Sequence, residues 1–88
     1  MQVTFLRKFS KDLDKIIQPK DRKAIAEVIG FTKQASKFEE IPGTKKLTGF
    51  DDAYRILCGH YRIGVFVKSD MVLFARVVHR KDIYKVFP

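Results

Sequence analysis

With 88 residues, a formal charge of +8, 45% hydrophobic residues and one cysteine, the chain is a single domain, 1–88, built on one small core. That composition excludes intrinsic disorder, a disulfide scaffold and a cysteine-rich metal cluster. The 18 Lys and Arg against 10 Asp and Glu point to polyanionic or acidic partners, and the longest apolar run, Met71–Ala75, is far too short for a membrane span.

Met1–Ser10 lacks the apolar stretch of a secretory signal, so the expectation is a soluble cytoplasmic protein without a membrane partner. Gln2–Leu6 reads as a short strand. Ser10 is the expected N-cap of a first helix, with Asp12 in its first turn, running to about Gln18 and stopped by Pro19. A second helix starts near Lys20. Ile25, Val28, Ile29, Thr32, Ala35 and Phe38 share one side at helical spacing, and Pro42-Gly43 ends the pattern. Gly43–Asp52 reads as an irregular connection. Ala53–Cys58, Tyr61–Lys68 and Met71–Val78 are rich in β-branched and aromatic residues, separated by Gly59-His60 and Ser69-Asp70. Two-residue gaps of that type predict tight hairpins. The expected fold class is α+β: two N-terminal helices packed on one face of an antiparallel sheet that ends in a three-stranded meander.

Tight hairpins fix the faces. Lys68 falls opposite Met71, Arg62 opposite Val77 and Leu57 opposite Arg62, and opposite residues share a face. Tyr54, Ile56, Cys58, Tyr61, Ile63, Val65, Val67, Val72, Phe74 and Val78 form the expected helix-side face. Arg55, Leu57, Arg62, Gly64, Phe66, Leu73, Ala75, Val77 and His79 form the other. Arg76 fits this register badly: either it emerges at the sheet edge or a bulge shifts the strand, and a bulge would carry His79 across.

The uncovered face thus gathers two arginines and a histidine beside an apolar patch of Phe66, Leu73 and Val77, the expected partner-binding positions. Cleavage of RNA by attack of a 2′-hydroxyl on the adjacent phosphate needs a base, an acid for the leaving oxygen, and cations for the growing phosphoryl charge. Arg62 and Arg80 suit the cation role because the guanidinium fork binds phosphate bidentately. His79 suits acid or base work, and Tyr84 can hydrogen-bond to or stack on a base. These four are the candidate catalytic residues. Lys45, Lys46, Arg55 and Lys81 are the candidate RNA contacts. A Ser-centred nucleophile motif, a phosphate loop and zinc-ligand spacing are all missing, so no metal or cofactor is expected.

The chain resembles the RelE/ParE superfamily of toxins from type II toxin–antitoxin systems along essentially its whole length. The resemblance rests on Phe9-Ser10-Lys11-Asp12-Leu13, Lys45-Lys46-Leu47-Thr48-Gly49, Tyr54-Arg55-Ile56, Gly59-His60-Tyr61-Arg62-Ile63 and Val78-His79-Arg80-Lys81-Asp82-Ile83-Tyr84, in that order. It implies a microbial-ribonuclease-like fold and one of two activities: metal-independent cleavage of messenger RNA on the ribosome, or poisoning of DNA gyrase by binding. It also implies a cognate acidic antitoxin, with operator DNA reached only through that antitoxin. By resemblance Arg62 meets the scissile phosphate, His79 and Arg80 lie where the nucleases keep acid–base or charge-stabilising groups, Tyr84 orients the substrate, and Lys45 and Lys46 touch RNA. Leu57 stands where many members carry a second arginine. The leading expectation is a ribosome-dependent mRNA endonuclease. A gyrase inhibitor and a degenerate toxin that only binds its antitoxin are the alternatives.

Overall fold

The computed structural model describes residues Met1–Pro88. The elements run β1 (Gln2–Phe5), α1 (Arg7–Asp14), α2 (Pro19–Gln34), a 3-10 turn (Phe38–Glu40), β2 (Thr44–Lys46), β3 (Ala53–Cys58), β4 (Tyr61–Lys68), β5 (Met71–His79) and α3 (Ile83–Val86). The five strands form one sheet in the order β1-β5-β4-β3-β2. The class is α+β as expected, but the sheet is mixed. The β1–β5 pair is parallel, and the other three pairs are antiparallel. No helix is long and apolar enough to cross a membrane.

The first helix begins earlier than Ser10 suggests. Leu6 is its N-cap, without a side-chain cap. Phe9, Asp12, Leu13 and Ile16, at helical spacing, turn toward the sheet, with Phe9, Asp12 and Ile16 buried. Arg22 closes the far end of α1: its Nη1 donates to the carbonyls of Leu13 at 2.8 Å and Ile16 at 2.9 Å, where a cation suits the helix dipole. Pro19 opens α2 at a position where its missing N–H costs nothing. The helix stops at Gln34 because Ala35 is extended. Ala35 and Phe38 are buried as expected but lie outside the helix, Phe38 against Tyr54 with ring centroids 4.7 Å apart.

Both hairpins form with two-residue turns, Cys58 opposite Tyr61 and Lys68 opposite Met71. Gly59 sits at φ +59°, and Ser69 takes φ +55° without a glycine's freedom. Past Val65–Phe74 the expected register breaks. Ala75 is left unpaired, Gly64 faces Arg76, and Arg62 faces Val78 rather than Val77. The cause is visible at the sheet edge. β1 ends at Phe5, so β5 continues with α1 beside it instead of a strand. There the Asp12 carboxylate accepts Arg76 Nε at 2.7 Å and Nη2 at 3.1 Å, and also the Val77 backbone N–H at 3.1 Å. The extra residue brings Arg76 to this carboxylate, and the carboxylate satisfies a backbone donor that no strand reaches.

Both helices cover one face, where Phe9, Ile25, Ile56, Ile63, Val65, Val72, Phe74 and Val77 form the main core. The second face has its own cover. The chain turns back after β5, and Ile83 and Phe87 pack on Leu47, Ala53 and Ala75 in a smaller cluster. Phe87 lies so close over Gly64 that a Cβ there would sit 2.6 Å from its ring. β2, a three-residue strand within the expected irregular connection, completes this side.

Candidate nucleic-acid interface

Cross-strand pairing lines up cations on the face beneath the C-terminal segment. Lys45 is opposite Arg55, and Arg55 opposite Gly64. One row along, Leu57, Arg62 and Val78 are neighbours. Arg55 and Arg62 are half-buried at their stems. Arg55 Nη1 donates to the Gly43 carbonyl at 2.8 Å, and Arg62 Nη1 donates to the carbonyls of Gly59 at 3.0 Å and Tyr61 at 2.9 Å. Each guanidinium is thereby oriented through one nitrogen, while neither is paired with a carboxylate. The remaining N–H groups form the donor fork that phosphate recognition uses.

Tyr84 is brought to the same face by α3. It is 64% exposed and lines a cleft of about 350 Å³ with Lys45, Lys46, Thr48, Phe50 and Phe87. Expected RNA contacts and the expected stacking residue therefore meet, with Phe50 as a second exposed ring at the rim. Arg80 and Lys81 are exposed just beyond β5, the Arg80 N–H extending the ladder to the His60 carbonyl at 2.8 Å.

His79 lies elsewhere. The bulge at Ala75 places it opposite Tyr61 on the helix-side face, away from Arg62. Its ring meets Tyr61 edge-on at 6.2 Å and lies parallel to His60 at 6.4 Å. The Lys81 N–H donates to its Nδ1 at 3.2 Å. The expected cluster of His79 with Arg62 is not formed. Val77 is likewise corrected: the same shift buries it in the main core, 1% exposed, so it is no part of a surface patch. Phe66 is half-covered by Phe87, with ring centroids 5.1 Å apart, and Leu73 opposite it stays half-exposed. Phe66 lines one apolar groove with Leu6, Ala75, Val86 and Phe87, and another lies between Phe31 and Leu57, lined by Val28, Ile41 and Pro42. Sequence reasoning missed the latter, although Leu57, next to Arg62 on an outward position, was its signal.

Three groups titrate away from their ordinary ranges. The hydrogen bond to Asp12 raises Arg76, so that guanidinium is permanently charged. Lys68, 2.9 Å away, lowers Asp52 on the surface. Burial raises the Cys58 thiol, helped by the negative charges of Asp21 and Glu27. No three His, Cys, Asp or Glu side chains converge as metal ligands would.

Known proteins share this fold. Residues 3–84 match the family described as the ParE toxin of the type II toxin–antitoxin system, parDE. Toxin RelE3 of Methanocaldococcus jannaschii is 39% identical over 89 residues, covering 100% of both chains. The RelB–RelE antitoxin–toxin complex from Methanococcus jannaschii contains a chain with 36% identity and a TM-score of 0.81, covering 97% of this chain and 99% of that one. The YoeB dimer of Staphylococcus aureus shares the fold at 18% identity and a TM-score of 0.73, over 91% and 97% of the two chains. A family match along nearly the whole chain and a full-length relative at this identity place the protein in the RelE/ParE superfamily, as a RelE-like toxin of a type II toxin–antitoxin system.

Proposed function

We propose that the protein is a ribosome-dependent endoribonuclease that cuts messenger RNA on the face beneath the C-terminal segment. The observation that carries this reading is the Arg62 fork, held by two backbone carbonyls and free of any carboxylate, on the same face as Lys45 and Arg55. In the proposed reaction a 2′-hydroxyl attacks the adjacent phosphorus. The P–O5′ bond breaks, leaving a 2′,3′-cyclic phosphate and a 5′-hydroxyl; the 2′-hydroxyl proton passes to solvent water, and water returns one to the departing 5′-oxygen. Arg62 and Arg80 stabilise the charge that builds on the phosphoryl oxygens, the kind of interaction that supplies the largest share of such catalysis. Tyr84 stacks on or hydrogen-bonds to a neighbouring base. Lys45, Lys46, Arg55 and Lys81 hold the backbone, so binding weakens steeply with salt. His79, on the other face, is assigned no acid or base role.

The same reading includes a cognate acidic antitoxin, as RelE of M. jannaschii forms a complex with RelB. The excess of positive charge speeds that encounter. Of the apolar positions expected to meet it, Phe66 and Leu73 remain partly accessible. Operator DNA would be reached through the antitoxin alone.

The test is induction of the chain without antitoxin, followed by mapping of RNA 5′ ends. The reading predicts 5′-hydroxyl ends inside translated codons. Intact transcripts with broken chromosomes would replace it with gyrase poisoning, and unimpaired growth would replace it with a toxin that only binds its partner.

A further inference from the structure

The displaced histidine belongs to a second cleft, separate from the one at Tyr84, in which Ile16, Val77, Val78 and Val86 stand among charged groups. This cleft has a volume of about 360 Å³ and opens between α1 and the C-terminal turn, where Lys15, Tyr61, Arg76, His79 and Lys85 line it. Two carboxylates also face it, and one of them is fully engaged. Asp12 is saturated by Arg76 and the Val77 N–H. Asp82 is 3.8 Å from Lys85, with both side chains more than half exposed, a loose pair that leaves the ammonium and the carboxylate both available.

The remaining groups share one chemistry. Nδ1 of His79 accepts the Lys81 N–H, which requires a lone pair there and puts the ring proton on Nε2. His79 therefore offers this cleft a donor, and the lone pair a general base would need is already in use. Lys15 and Lys85 offer ammonium donors and no acceptor, and the Tyr61 hydroxyl can donate as well. A cleft in which the Lys15 and Lys85 ammonium groups and the His79 and Tyr61 donors outnumber one loosely paired carboxylate fits an oxyanion.

From this geometry we propose that the cleft is a second phosphodiester-binding site, holding RNA backbone at a distance from the bond that is cut. The proposal rests on the RNA reading above and deepens it. His79 is here a positioning residue that donates through Nε2. The bulge at Ala75 has a functional consequence as well as a structural one, because it swings the imidazole away from Arg62 and into this site.

The test measures binding by the full chain to two probes, a fluorescein-labelled single-stranded RNA and vacant ribosomes, across a salt series. Lys15→Gln combined with Lys85→Gln should weaken binding about tenfold and make the salt slope shallower by about 1.4, the value for two lost contacts to a single strand. Lys33→Gln combined with Lys37→Gln removes the same charge from exposed positions at the end of α2 and should change the slope by less than half as much. His79→Gln keeps an N–H donor and should bind within about twofold of wild type, whereas His79→Ala should lose about fivefold, the usual worth of one hydrogen bond. An effect on vacant ribosomes identifies ribosomal RNA as the occupant; an effect confined to the labelled strand identifies messenger RNA. The cleft is overturned if the Lys15 and Lys85 variant behaves like the control pair, or if His79→Gln and His79→Ala fall together. These readouts require no cleavage. A wild-type chain that binds RNA but cuts none overturns only the nuclease reading, and one that binds no RNA overturns both.

Discussion

The two faces of the sheet are built on different scales. On the helix side, thirteen buried residues from both helices, three strands and the segments that join them make one continuous core. On the other side the cluster has five buried residues, with Leu47, Ala53 and Ala75 lying under Ile83 of a four-residue helix and Phe87. Large apolar burial makes the first face the seat of stability. The second carries Arg55, Arg62 and Tyr84, and its cover is small enough to move without unfolding the rest. Stability and proposed chemistry are thus separated by the thickness of one sheet, and substitutions should divide the same way.

The largest effect on stability should come from the contact that seals the helix side. Asp12→Ala strands the Arg76 guanidinium and the Val77 N–H, and should cost about 2–4 kcal/mol in urea denaturation. Asp12→Asn, which can still accept hydrogen bonds, should cost less. Gly64→Ala acts on the opposite face. Its methyl would meet the Phe87 ring at 2.6 Å, so the C-terminal segment must lift and carry Tyr84 with it. The expected loss is about 1–3 kcal/mol from overpacking, with cleavage reduced out of proportion to the unfolded fraction. Combining it with Phe87→Ala should give a strongly non-additive cycle, because removing the Phe87 ring relieves the clash that the added methyl creates. The smallest effect concerns Cys58. Its thiol is raised in the folded state by burial, so it favours folding below the ordinary thiol pKa of about 8.5 and loses that contribution as pH climbs beyond it. Cys58→Ala should flatten the alkaline decline of the melting temperature while leaving the neutral range little changed in shape.

The same contrast explains what could be read from the amino acids alone. β3 and β4 have the bounds that their composition indicates, and β5 runs one residue longer, because β-branched runs separated by Gly59-His60 and Ser69-Asp70 are local signals. The core side of β4 follows directly from its alternation. The bulge was not legible in position, since its cause is a carboxylate 64 residues away in sequence. Arg76, a charge inside an apolar strand, was the only trace of it. That one residue decides the side on which Val77 and His79 lie, and so it separated the expected His79–Arg62 pair. β2 was missed because its three edge residues, Thr44-Lys45-Lys46, show no apolar alternation, and α3 because four residues are too few for a helical period. The parallel pairing of β1 depends on the path through two helices, which local pattern does not encode. Arg55 and Arg62 share the face that alternation indicates because the β3–β4 ladder runs without interruption, and Lys45, read as part of an irregular connection, joins them through β2.

The central claim is that the face beneath the C-terminal segment carries the reaction and that Arg62 is its main phosphate contact. Single-turnover cleavage of ribosome-bound messenger RNA by Arg62→Ala, set beside its urea stability, tests this most directly. The account predicts cleavage slowed by about a hundredfold or more, the usual cost of removing one oxyanion-stabilising group, with stability within about 1 kcal/mol of wild type. Cleavage within threefold of wild type by a folded Arg62→Ala protein would contradict it.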